Sequence, residues 1–398
     1  MTTRPCRVEI RTRSLEDNFR FLLSLAMPHA ELMAVVKADA YGHSLKLCAP
    51  ALVRAGARWL GVASVEEGVA ARVLCPEPGI LVMCGAFPGQ GAAVVEHRLS
   101  AVAWQPWQLD ELESAARTAG VPAGSLPIHL EIDTGMSRQG VSVDELVALL
   151  ARFHPRSPLR LEGVMTHLFA ADEADGRKTE AQLALLEEAT RKVKAAGLAP
   201  EWLNVGNSAA LLAGQAARIA ALATRYGMKA MLRPGLALYG VTPRFNPEFE
   251  PSLSPEPATL AAARTRLQPV LTWKTCVAGV RTVPIGAVVG YNGTFVATEP
   301  MRLALVAAGY AEGLDRRLGN RFSLLVRGQR APLVGRVSMD TAVVDVTEIP
   351  GVEPGDEVVI LGKQGGECIT AFDHAEATGT IPWEVFTRIG PRVLRVAV

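Results

Sequence analysis

The chain has 398 residues, is 49% hydrophobic and 20% charged, and carries a formal net charge of +1. That length exceeds one ordinary core and predicts two domains, and the composition is globular rather than disordered. The near-zero charge gives no electrostatic basis for binding nucleic acid or an anionic membrane, and no apolar stretch is long enough to span a bilayer. The N-terminus, Met1-Thr-Thr-Arg-Pro-Cys-Arg-Val-Glu-Ile10, lacks a signal peptide's hydrophobic block, so a cytoplasmic location is expected. Cys6, Cys48, Cys75, Cys84, Cys276 and Cys368 show neither a CxxC pair nor metal-ligand spacing. Reduced thiols and no metal site are predicted.

Along the first two-thirds, short β-branched or apolar runs alternate with longer Ala/Leu/Glu-rich stretches. The candidate strands are 33–37, 59–63, 80–83, 100–104, 128–133, 161–167, 202–206 and 236–240. Apolar residues spaced by three and four mark 142–152 and 178–189 as amphipathic helices. Eight strands alternating with helices over about 240 residues predict an N-terminal (β/α)8 TIM-type barrel, with a doubly wound open sheet as the competitor. After Gly240 the proline-rich stretch 243–257 reads as a linker, and short β-type runs follow at 277–283, 302–307, 324–326, 342–346 and 357–361. The fold class is therefore α/β, a barrel followed by a C-terminal mainly-β domain. The expected boundaries are 1–245, a linker over 246–264, and 265–398, with the first few residues free to pair with the last domain.

Lys37 ends an apolar run and is followed by small residues, a tyrosine and a glycine. Burial makes an unpaired cation costly and lowers a lysine's pKa, leaving the neutral amine that attacks a carbonyl carbon. A lysine in this position also reads as one that snorkels, or that pairs with Asp39. In a barrel, functional groups sit at the C-terminal ends of strands. Lys37, Asp133 with Arg138, His167 and Asn207-Ser208 fall at or just after such ends, whereas Arg233-Pro-Gly235 opens the expected eighth strand. Individually, His167 reads as a core histidine, Ser208 as a helix cap and Arg233 as an ion-pair partner. Ser208 at a helix start, with backbone donors at Gly235 and Leu236, would make a phosphate cradle. A lysine able to form a Schiff base beside such a cradle suggests pyridoxal 5'-phosphate.

The chain resembles the alanine racemases over nearly its full length. The resemblance rests on Ala34-Val-Val-Lys-Ala-Asp-Ala-Tyr-Gly-His43, Asp133-Thr-Gly-Met136 with Arg138, Gly163-Val-Met-Thr-His167 and Asn207-Ser-Ala-Ala210. It continues through Arg233-Pro-Gly-Leu-Ala-Leu-Tyr-Gly240, Val289-Gly-Tyr-Asn-Gly-Thr294, Gly309-Tyr310 and Gly335-Arg-Val-Ser-Met-Asp340. It implies a homodimer that interconverts L- and D-alanine and supplies D-alanine for peptidoglycan. By the same resemblance, Lys37 holds the cofactor and serves as one base, while Tyr291 of the partner subunit serves as the other. Arg233 faces the pyridine nitrogen, and Arg138 contacts the cofactor's phenolic oxygen and the substrate carboxylate. The partner subunit's Met339 N–H helps hold that carboxylate. Tyr41, Ser208, Gly235 and Leu236 hold the phosphate, and His167 stacks on the ring and links Arg233 to Tyr291. Asp340 and Tyr310 belong to the supporting set.

Three residues depart from the family pattern. Glu131 stands where many relatives have a carbamylated lysine, and its own anion could serve Arg138 without modification. Trp383 replaces a tyrosine that assists the phosphate and narrows the substrate space, and Asn204 stands where a histidine behind the site is common. Trp383 keeps a serine or broad-specificity racemase open as an alternative. A barrel-type decarboxylase is disfavoured, because decarboxylation benefits from a carboxylate opposite the ring nitrogen. A non-catalytic cofactor carrier needs Lys37 but not Tyr291, so the presence of both favours the enzyme.

Overall fold

The computed structural model describes residues 4–245 and 256–398. Two compact units divide the chain: 13–40 with 48–268, and 1–12 with 41–47 and 269–398.

The first unit is a closed barrel of eight parallel strands. They are Ala30–Val35, Trp59–Val62, Gly79–Val82, Ser100–Ala103, Leu126–Glu131, Leu159–Met165, Trp202–Asn204 and Lys229–Leu232. The first strand closes on the last through Ala30↔Ala230 and Leu32↔Leu232. These strands are short and buried almost throughout, as required of a parallel sheet covered by helices. Among the helices, Val65–Leu74 is capped by Ser64, whose side chain accepts from Glu67 N. The expected helix at 178–189 is longer, Arg177–Ala195, whereas that at 142–152 shortens to Leu146–Leu150.

One expectation is corrected in this unit. The run 236–240 is not the eighth strand; Lys229–Leu232 is, and Leu236–Tyr239 forms a 3-10 turn. A short apolar run has no periodicity that separates strand from turn, and Pro234 removes a ladder donor between the two segments. Arg233 consequently follows the C-terminal end of the last strand instead of opening it. The expected linker at 246–264 lies partly outside the described residues, and its later part is helical over Ala258–Arg266 with Leu260 and Ala263 buried.

The second unit is built on the 13-residue strand Leu271–Val283. That strand pairs antiparallel with Arg7–Ile10, Met301–Val306 and Glu357–Gln364, and Arg7–Ile10 pairs parallel with Leu394–Ala397. Ser323–Val326 and Ala342–Asp345 complete the expected run of strands. Within this unit Gly309 lies directly against the loop at Ser338-Met339. A Cβ there would meet Ser338 O at 2.3 Å and Met339 carbonyl carbon at 2.4 Å, both backbone atoms with little room to move. Gly309→Ala should therefore lower stability by roughly 1–3 kcal/mol, the cost of overpacking. Chemical denaturation tests this, and a midpoint equal to the parent's would contradict the contact.

Candidate active site

Lys37 follows the first barrel strand and enters a turn of unusual hand. Ala38, Asp39, Ala40 and Tyr41 have φ of 52°, 51°, 56° and 55°, four successive non-glycine residues in the left-handed region. Such a conformation costs roughly 1–2 kcal/mol per residue, so the surroundings must hold it. Glu67 supplies part of the restraint: its Oε1 accepts from Ala38 N at 2.6 Å and its Oε2 from Ala63 N at 2.8 Å. The Ala40 N–H returns to Val36 O at 2.8 Å. The Lys37 amine makes no hydrogen bond or ion pair among the described residues, and burial, reinforced by the charges of Arg138 and Arg233, lowers its pKa. That favours the neutral amine needed for attack on a carbonyl.

Arg233 is 4% exposed. Its Nη1 donates to Asn204 O at 2.7 Å and to Asn204 Oδ1 at 2.6 Å, and Nη2 donates to Thr166 O at 2.8 Å and lies 3.4 Å from His167 Nδ1. A guanidinium can only donate, so His167 Nδ1 is the acceptor and the neutral ring carries its proton on Nε2. Burial and the charges of Arg233, Arg138 and Lys37 push the His167 pKa down to about 3. Arg233 itself is pushed down by burial to about 10 and stays protonated at neutral pH. Four of its five N–H groups are engaged, and Nε has no partner among the described residues. Asn204 is fully buried and leaves its Nδ2 without a partner.

Glu131, at the end of the fifth strand, is almost fully buried, and that burial raises its pKa. Its Oε2 accepts from Gln139 Nε2, which also reaches Met83 O at 3.1 Å. Glu131 makes no hydrogen bond or ion pair with Arg138 among the described residues; the charges of Arg233 and Arg138 act on the carboxylate from farther away. Arg138 is exposed and follows a turn in which Asp133 Oδ1 accepts from Gly135 N and Ser137 N. After the seventh strand, Asn207 caps a short helix by accepting from Ala210 N at 3.1 Å. Ser208 Oγ accepts from Gly235 N at 3.0 Å and Ala237 N at 3.2 Å. The Gly235 N–H, expected as a free donor, is thus already engaged. The hydroxyl proton of Ser208 and the Leu236 N–H have no partner among the described residues.

In the second unit, Tyr291 opens a turn between Val288–Val289 and Phe295–Val296, where Asn292 adopts φ 61°. Its side chain is 67% exposed. Met339 is 52% exposed, and its N–H is unbonded among the described residues. The Met339 loop is fixed from behind: Tyr310 N donates to Ser338 O and Ala311 N to Met339 O. Arg392 and Arg4 bind Asp340 Oδ1 and its carbonyl, both at 2.8 Å. Tyr41 belongs to the same unit as Trp383, on helix Pro382–Thr387; a Cβ at Gly42 would lie 2.4 Å from Phe386 O, and the His43 ring packs on Phe386 at 4.9 Å. Sequence reasoning did not find Glu67, Gln139 or Gln182. Their roles arise from contacts across the fold, and no local motif marks them.

Lys37, Arg138, Arg233 and His167 thus influence one another at one end of the barrel, with two guanidinium cations, an amine of lowered pKa and a buried acid around a neutral imidazole. This environment suits an anionic, carbonyl-bearing ligand. Asn204→Ala removes the closest acceptor from the buried guanidinium and should cost about 2 kcal/mol, the range for a hydrogen bond to a charged group. Equilibrium unfolding of the two proteins measures it, and equal stabilities would show that Asn204 Oδ1 is not restraining Arg233.

Comparison with known proteins agrees with this geometry. Residues 10–243 match the family described as alanine racemase, N-terminal domain, and residues 270–397 match alanine racemase, C-terminal domain. An alanine racemase of Sorangium cellulosum is 37% identical, over 98% of each chain. The structure of an alanine racemase from Streptomyces coelicolor superimposes with a TM-score of 0.86 at 36% identity, covering 99% of this chain and 98% of that one. That of the Bartonella henselae alanine racemase, which carries covalently bound pyridoxal phosphate, gives 0.81 at 27% identity over 99% of both chains. With both family domains matched in order and full-length relatives well above 30% identity, the chain belongs to the alanine racemase family.

Proposed function

We propose that this racemase interconverts L- and D-alanine with pyridoxal 5'-phosphate held covalently at Lys37, as a homodimer whose sites are completed by the partner subunit. The carrying observation is Arg233: a buried guanidinium with a single unengaged N–H, beside an unpartnered amine of lowered pKa. These residues fit the cofactor. Lys37 would bind its aldehyde carbon, and Arg233 Nε would donate to the ring nitrogen. By the family resemblance Ser208 Oγ–H, Leu236 N–H, Tyr41 and Trp383 would serve the phosphate, and Gly235 N–H would join them if it left Ser208. When bound, the cofactor supplies an electron-accepting ring that makes the substrate's α-proton acidic.

Arg233 can only donate, so it leaves the ring nitrogen unprotonated and moderates that acceptance, which favours prompt reprotonation. Arg138 and the N–H of the partner subunit's Met339 would orient the substrate carboxylate, leaving the α-carbon between two bases. Lys37 would hold or release the proton on the D face and Tyr291 on the L face. Exchange in both directions requires one group on each face of the planar α-carbon that can both take and return a proton, and an amine and a phenol can each do so. His167 Nε2–H would donate to the oxygen of the partner subunit's Tyr291 and stabilise its deprotonated form. Glu131 contributes a buried acid that partly offsets the local positive charge, and Asp340, Tyr310 and Asn204 support these groups from behind.

The exposure of Tyr291 and of Met339 with its unbonded N–H supports their contribution to a second copy. A cytoplasmic enzyme supplying D-alanine for peptidoglycan accords with this activity, and no helix among the described residues is long and apolar enough to cross a membrane. A broad-specificity or serine racemase is the second reading, carried by Trp383 at 37% exposure.

Two outcomes test the assignment. Tyr291→Phe should reduce D-alanine formation from L-alanine by at least ~100-fold, the usual worth of a positioned acid–base group, with cofactor content unchanged. Retained turnover would remove Tyr291 from the mechanism, and parent turnover of L-serine matching L-alanine would move the assignment to the broader enzyme. The second concerns stability. The folded-state pKa of Lys37 is depressed, so between that value and 10.5 the unfolded chain binds the proton that the folded chain lacks. The penalty for burying this amine is therefore largest at low pH and vanishes as pH rises to about 10.5. Cofactor-free Lys37→Met should melt above the parent at pH 7, with the gap closing as the pH rises. A gap that is absent or independent of pH would contradict the burial argument.

A further inference from the structure

Helix Arg177–Ala195 carries a glutamine that faces the barrel rather than solvent. Gln182 is 1% exposed, and its amide is fully engaged. Nε2 donates to Thr134 Oγ1 at 2.9 Å and to His167 O at 2.9 Å, and Oε1 accepts from Phe169 N at 3.1 Å. Thr134 Oγ1 lies 2.7 Å from Thr166 Oγ1, and Thr166 Oγ1 donates to Ile132 O at 2.9 Å. The carbonyl oxygen can only accept, so the Thr166 hydroxyl proton is committed to Ile132. The proton between the two threonines must then come from Thr134, which in turn accepts from Gln182. A single direction runs through the chain: Gln182 N–H to Thr134 O–H to Thr166 O–H to Ile132 C=O.

This relay grips the peptide that bears the site. Thr166 O accepts from Arg233 Nη2 and His167 O accepts from Gln182, so two successive carbonyls are each fixed by a buried donor. The His167 ring, 3.4 Å from Arg233 Nη2, extends from the same backbone. Rotating that peptide would misdirect the imidazole and remove an acceptor from the guanidinium together.

We infer that Gln182 is a positioning residue for racemisation, setting through the Thr134–Thr166 relay how His167 and Arg233 meet the cofactor and the opposing base. The inference rests on the roles proposed above for His167 and Arg233. It also explains why a buried amide stands at this helical position, where an apolar side chain would pack at lower desolvation cost.

The test uses holoenzyme and three variants: Gln182→Met, similar in reach but without donor or oxygen; Thr134→Val, which breaks the relay; and Thr134→Ser, which keeps it. Pyridoxal phosphate affinity is read by absorbance titration, and kcat and KM for alanine are read per bound cofactor. Gln182→Met and Thr134→Val should each weaken cofactor binding about tenfold, as expected of one lost buried hydrogen bond. Their kcat should fall roughly 10–100-fold, the scale of a small misplacement near the chemistry, with KM within about twofold. Thr134→Ser should stay near the parent.

A general loss of packing would not favour one face of the substrate. The equilibrium constant is one, so kcat/KM must fall equally in both directions, and the asymmetry is read instead in primary isotope effects with α-deuterated substrates. Slowing the Tyr291 side should raise the effect from L-alanine relative to that from D-alanine. Gln182→Met and Thr134→Val both matching the parent in affinity, kcat and isotope-effect ratio would overturn the inference. So would a Thr134→Ser as impaired as Thr134→Val, because packing would then be the cause. If Gln182→Met fails to fold, the two threonine variants decide alone. A parent that binds the cofactor but does not racemise alanine would overturn the site reading itself, whereas an active parent beside equally active variants overturns the role of Gln182 alone.

Discussion

A buried guanidinium with one N–H left to give is the constraint on which the barrel end depends. Burying a charge is expensive unless its donors are met, and Arg233 meets four of five through Asn204, the Thr166 carbonyl and His167. Those bonds fix the plane of the fork and leave Nε as its remaining donor. They also oblige His167 to accept at Nδ1, which sets the tautomer of a ring whose protonation is already opposed by burial and by the charges of Arg233 and Arg138. One side chain thereby determines a donor direction, a tautomer and much of the local field.

The same field bears on Lys37. Desolvation lowers its pKa, and the positive charges of Arg138 and Arg233 act in the same direction. An amine poised to lose its proton is what covalent capture of an aldehyde requires. The left-handed run that follows it is a conformational cost carried beside the candidate nucleophile, restrained in part by Glu67 of helix Val65–Leu74. Strain beside a reactive group is a recurrent feature of active sites, and here its restraint is a pair of backbone hydrogen bonds to one carboxylate. Glu131 departs from the arrangement its position suggested. Its carboxylate is tied to Gln139, so any influence on Arg138 is through its charge and not through a shared bond.

The β-rich unit shows the opposite economy. Tyr291 and Met339 are presented outward, yet the loop that bears Met339 is held from behind by backbone hydrogen bonds. Gly309 admits the Met339 strand of backbone at a distance no side chain would allow, and Arg4 and Arg392 pin Asp340 from the other side. Rigid loops with exposed polar ends are suited to meeting another surface with little ordering cost.

Much of this architecture was legible in the amino-acid sequence. Alternating apolar runs and helical periods located most of the barrel strands, and the change of texture after residue 240 located the second unit. The failures have specific causes. The run 236–240 is too short and too uniformly apolar to show a period, so the true last strand, Lys229–Leu232, was passed over and Arg233 was placed at the wrong strand end. Chain order and residue chemistry determined the family and singled out the candidate nucleophile and bases, because these reside in local motifs. Only the tertiary structure decided that Gly235 is engaged by Ser208, that Glu131 bonds to Gln139, and that Gln182 reaches the His167 peptide from 48 residues beyond Thr134. Hydrogen-bond partners depend on distances of a few ångströms between segments far apart in the chain, and no local pattern of residue types encodes those distances.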